Sequence, residues 1–170
     1  MSRSTSTTAT DLAEHLSRTR QAAEKAKARL LGTFAYVPDD KLHWSPSETA
    51  RTPLWMVAHC GMANHAFAAA IRGEDLPLAA DPQEAARQIR NAGRDIATRE
   101  EAVRLLEDST AEVIRALGTV TPERLGSHTQ SPFGPVPLTV WVDLPAVHMD
   151  GHAHQLDYLQ TIWGDLEDHG

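Results

Sequence analysis

Thr52 and Pro53 at one end and Gly73 at the other bracket the stretch "LWMVAHCGMANHAFAAAIR", and this segment constrains the fold more than any other. A threonine oxygen satisfies the free N–H groups of a helix start, and a proline in the first helical position gives up no hydrogen bond. A glycine just past the end takes the left-handed conformation that closes the last turn. The pattern predicts a helix over 53–72.

The same signals recur along the chain. Asp11 and Glu14 have capping-box spacing, and Leu12, Leu16, Ala23, Ala26 and Leu30 follow at helical intervals to a stop at Gly32. Asp81, Pro82 and Glu84 open a shorter helix with a break near Gly93. Thr98 and Glu101 form a second capping box, and Val103, Leu106, Thr110, Val113, Ile114 and Leu117 place a helix over 99–117. One helical turn is expected at 122–125. A last helix runs over 138–163, capped by Gly164, with Pro145 expected to bend or restart it. No segment alternates convincingly between apolar and polar residues, so the fold class is all-α, a four-helix bundle.

At 170 residues with 41% apolar side chains, the chain closes one sizeable core and falls short of two. The expected organisation is a disordered tail over 1–10, one helical domain over 11–165 and a short tail over 166–170. The net charge of -7 and the interruption of the basic stretch Arg18 to Arg29 by Glu24 argue against nucleic acid as a partner. A single cysteine, Cys60, excludes an intrachain disulfide and a thiolate cage for zinc. The start "MSRSTSTTAT" has no apolar signal region, and "AFAAAI" is far shorter than the roughly 20 residues of a membrane span. These features predict a soluble cytoplasmic protein with no membrane partner.

Function is sought in the histidines. His148 and His152, four residues apart, lie within about 40° of each other on one helix face, so two imidazoles reach one ion. His154 falls on roughly the opposite side and is expected at the surface. Catalytic metal sites generally use three protein ligands, so a third must come from another helix. His59, in an apolar stripe with Trp55, Met62 and Ala66, is the best placed. His65 is about 120° round from it and is expected to point elsewhere, and Cys60 projects away as a small core thiol. Hydrogen-bonded core histidines are the alternative to ligands.

The polar connection with "LHWSP", the helix with a central histidine, and the ending "HMDGHAHQLDYLQTIWGD" together resemble the DinB-like family of metal-binding four-helix bundles with long crossover connections. The resemblance runs from Asp11 to Gly164. It implies that His59 and the pair His148 and His152 bind a divalent ion such as zinc, nickel or iron, with Gln155 and Leu156 matching the tail of the motif. The departures are His154 where the family has glycine, and Pro145 one turn before His148. The activity implied is that of a thiol-dependent S-transferase using a low-molecular-weight thiol such as bacillithiol or mycothiol on a small electrophilic substrate, or a related hydrolase or isomerase. Gln155 and Tyr158 are candidates for contacts to the ligands or substrate, or for packing, and the sequence marks no separate general base. The competing expectations are a non-catalytic, metal-stabilised, stress-associated bundle and a homodimeric interaction module, with Trp44, Trp141 and Trp163 in a core or an interface.

Overall fold

The computed structural model describes the backbone of residues 3–169 and the side chains of residues 10–169. Four helices dominate: α1 (Arg3–Ala35), α2 (Pro53–Arg72), α4 (Arg99–Leu117) and α6 (Leu138–Ile162), with the shorter α3 (Pro82–Asn91) and α5 (Pro122–Leu125) in the connections. Thr52 caps α2 by accepting from the Trp55 N–H, and Gly73 closes it at φ 78°. Asp81 caps α3, and the reciprocal Thr98–Glu101 box caps α4. These local signals act as the sequence predicts because each satisfies backbone groups the helix cannot.

Both ends of the first helix differ from expectation. The first helix begins at Arg3, so Asp11 lies inside it and residues 3–10 continue the helix; residues 1 and 2 lie outside the described residues. It also passes Gly32 and ends at Ala35, because the apolar stripe continues to Phe34, 1% exposed in the core. α6 is one helix through Pro145 and does not restart there. Proline removes a single helical hydrogen bond. The flanking turns are tied to α1, through Thr19 donating to Asp143 on one side and Arg29 to Asp150 on the other.

The connection after α5 holds a feature the sequence did not predict, an antiparallel hairpin of β1 (His128–Ser131) and β2 (Gly134–Pro137). Its strands carry few apolar residues, so period-two patterning is absent. Ser131 instead fixes the turn, donating to the Gly134 carbonyl and accepting from the Phe133 N–H. Thr129 ties the hairpin to the Ala70 carbonyl of α2.

In the bundle α2 packs on α4, α1 on α6, α2 on α6 and α1 on α4, which closes a ring of four. Thr19, Arg29 and Thr33 of α1 meet Asp143, Asp150 and Asp157 of α6 in the same order, so these two helices are parallel. Asn64 and His65 of α2 likewise meet Thr110 and Glu112 of α4 in order. Parallel neighbours cannot be joined by a tight turn, and the segment bearing α3 makes the long crossover between α2 and α4. One core cluster gathers Leu30, Phe34, Leu54, Leu106 and Leu156; the other gathers Leu16, Ile71, Leu117, Leu138 and Val142. α2 and α6 contribute to both clusters, and they also carry the clustered histidines.

Candidate metal centre

His59 faces inward from α2 because its neighbours Ala58 and Cys60 are fully buried and the helix is packed on both flanks. His148 and His152 project from one face of α6, as their four-residue spacing requires. One nitrogen from each of the three rings can be chosen so that all lie within 4.8 Å of one another. The ring centroids are 5.1 Å apart for His59 and His148, 5.3 Å for His59 and His152, and 4.7 Å for His148 and His152.

The electrostatics keep these rings neutral. Burial, then the adjacent His152, push the pKa of His59 down to about 4, against the opposing Ala92 carbonyl; Arg51 lowers it further. Burial, then His152 and His59, take His148 down to about 3. His152 is lowered by burial and by Arg51, with Gln155 acting in the opposite sense. All three therefore present lone pairs at neutral pH.

The surroundings hold the rings in place. The Trp55 indole stacks on His59 with centroids 4.3 Å apart and meets His152 edge-on at 6.0 Å. Arg51 lies over the indole at 4.1 Å. Phe67 abuts His148 edge-on at 5.5 Å and leads to Trp141 at 6.1 Å. A cavity of about 620 Å3 opens against His59 and His148. A second cavity of about 460 Å3 lies beside Arg51 and Trp55.

The residues present fit a divalent cation. Nδ1 of each ring is buried without a hydrogen-bond partner, a costly arrangement for three polar groups in one place. A cation among the rings gives one nitrogen of each a partner. Three neutral imidazoles suit zinc, nickel or ferrous iron, and three protein ligands leave a position for water or substrate.

The other expected positions fall around this group. Gln155 lies on the exposed side of α6 yet its side chain acts on His152, whereas Tyr158 is 69% exposed. His154 is exposed, its Nδ1 2.7 Å from the Asp150 carbonyl oxygen, so the substitution of glycine by histidine leaves the triad undisturbed. Cys60 is fully buried, and burial pushes its thiol pKa far up, as expected of a core thiol and not a ligand. Trp44 and Trp163 meet edge to face at 5.4 Å against the core, and Trp141 is buried.

His65 is a residue whose surroundings the sequence did not give. It is outside the triad, as expected, but it lines the larger cavity beside His59. Its Nδ1 donates to Glu112 Oε2 at 2.6 Å, and Arg72 donates to Oε1 of the same carboxylate at 2.9 Å. Its partner is on α4, far away in sequence, and no local spacing announces it.

The molecule is a helical bundle in which α2 and α6 bring together three imidazoles able to hold a metal ion. The chain belongs to the DinB superfamily, which it matches over residues 22–156. Among solved structures it is similar to that described as "Crystal structure of the conserved protein of locus from Enterococcus faecalis", at 16% identity, covering 88% of this chain and 97% of that one with a TM-score of 0.67. At that identity the likeness is one of fold. No curated protein matches the chain at a significant level. Among the described residues, no helix is long and apolar enough to cross a membrane.

Proposed function

We propose that His59, His148 and His152 hold a divalent metal ion, and that the protein uses it to join a low-molecular-weight thiol, or water, to a small electrophile. The observation that carries this reading is the convergence of three neutral imidazoles from two helices, two of which, His59 and His148, line a cavity. When bound, a divalent cation supplies Lewis acidity that lowers the pKa of a thiol or water at neutral pH.

The chain's own residues do the rest. His59 is kept in one orientation by the stacked Trp55, and His148 by Phe67, so the donor set is formed before any ligand arrives. In the S-transfer reaction a bond forms between the thiol sulfur and the electrophilic carbon. The bond to the leaving group breaks, that group departs with the electron pair, and the thiol proton passes to solvent.

The test is a thiol panel of cysteine, glutathione, bacillithiol and mycothiol reacted with an activated aryl halide. Conjugation above the uncatalysed rate in metal-loaded protein, and its loss on chelation and in His148→Ala, supports the reading. Rates equal to the protein-free reaction for every thiol, with water included as nucleophile, overturn it.

A further inference from the structure

The cavity of about 620 Å3 beside the triad is selective in what it offers a ligand. Its wall carries Met62, Phe67, Leu78, Ile89, Phe133 and Trp141, and among the described residues neither lysine nor arginine lines it. Asp95 is the one carboxylate among the described residues that line it. Away from the triad, a carboxylate or phosphate transferred there gives up water without gaining a lysine or arginine partner, and that desolvation is costly. The neighbouring cavity of about 460 Å3 differs in this respect, since Arg51 and Arg94 line it.

The wall is also aromatic along one line. Phe67 stands edge-on to His148, with planes 88° apart, and at 47° to Trp141, so successive ring faces and edges run away from the triad. Such a surface favours a flat ring, which packs by offset or edge-to-face contact. The volume falls within the usual range for a small-molecule site.

We propose that this cavity binds one small, uncharged aromatic molecule, its ring against Phe67 and Trp141 and its reactive end beside His59 and His148. In the proposed reaction it is the site of the electrophile. That role rests on the metal-dependent reading above, but occupancy of the cavity does not require the metal.

The experiment is calorimetric titration of the 170-residue chain with a naphthol and with the matching naphthalenesulfonate, a poor ligand for divalent ions. Metal content is measured on the same samples. Saturable binding of one naphthol per chain is expected, with the sulfonate weaker by about tenfold or more. Ala66→Trp and Leu78→Trp each fill the cavity from a different element. Each is expected to weaken naphthol binding by about tenfold or more while circular dichroism and melting temperature report a folded protein. Two variants guard against one failing to fold.

Equal affinity for the two probes, unchanged binding in the folded variants, or no saturable binding to the folded native chain overturns the proposal. Naphthol bound to a chain that takes up no metal sustains the cavity and removes the metal-dependent reaction. Metal bound by a chain that ignores naphthol does the reverse.

Discussion

The Trp55 indole lies nearly parallel to the His59 imidazole, 18° between planes, with Arg51 over the indole. The aromatic surface thereby restricts the rotation of a metal-ligand candidate that has no hydrogen bond at Nδ1. In Trp55→Ala the ring loses that support. Metal affinity, measured by competition with a chelator, is expected to fall about 10- to 100-fold, the scale seen when residues that orient ligands are removed. Stability in urea is expected to fall by about 3 kcal/mol or more, since Trp55 is only 8% exposed. Unchanged affinity in the folded variant would remove the indole from the site.

Gly93 sits in the turn after α3 at φ 85°, against the backbone of α2 where the histidine begins. A Cβ there comes within 2.9 Å of both the Ala58 carbonyl carbon and the His59 nitrogen. Gly93→Ala is therefore expected to cost about 2 kcal/mol or more, from left-handed backbone and overpacking together. Gly151→Ala is the contrast, because its Cβ meets nothing within 4 Å and the position is helical. That variant is expected to gain about 0.5–1 kcal/mol. Denaturant midpoints of the two variants check both signs.

Glu112 joins α4 to α2 through His65 and Arg72. Burial raises its pKa, but the His65 and Arg72 hydrogen bonds outweigh burial and hold the carboxyl below its usual 4.5. A carboxylate with a depressed folded pKa stabilises the fold fully above its unfolded value, and the contribution disappears as pH falls through the folded value. Glu112→Gln is therefore expected to lower stability by about 1 kcal/mol near pH 7, a figure kept small because the group is partly exposed. The gap between variant and native protein is expected to close as pH drops below 4.5. A gap constant from pH 7 to pH 3 would show that ionisation is irrelevant there.

The helices were legible because their ends are encoded locally. Thr52, Asp81 and Thr98 each cap the helix that follows from its own side chain, and no distant contact is needed to predict it. The His148–His152 pair was legible for the same reason, since helical periodicity alone puts both on one face. His59 required a second helix packed against its face; of its expected stripe Trp55 is buried beside it, whereas Met62 is 40% exposed and lines the cavity.

What was missed depends on long-range contacts. The hairpin over 128–137 is held by Ser131 at its turn and by Thr129 on α2, not by apolar alternation. Pro145 looked like a break because propensity scores one residue at a time, whereas its helix is tied to α1 on both sides of the proline. His65 acquires its partner from α4, so only the folded chain reveals its pairing with Glu112.

Elemental analysis decides whether the three imidazoles hold one ion. Protein purified without a histidine tag or chelator, then reconstituted with zinc, nickel or ferrous iron, is measured beside His59→Ala and His148→Ala. About one metal ion per chain is expected in the native protein, with loss of stoichiometric binding in each folded variant. A native chain that takes up none of the three metals, or variants that keep full occupancy, would contradict it.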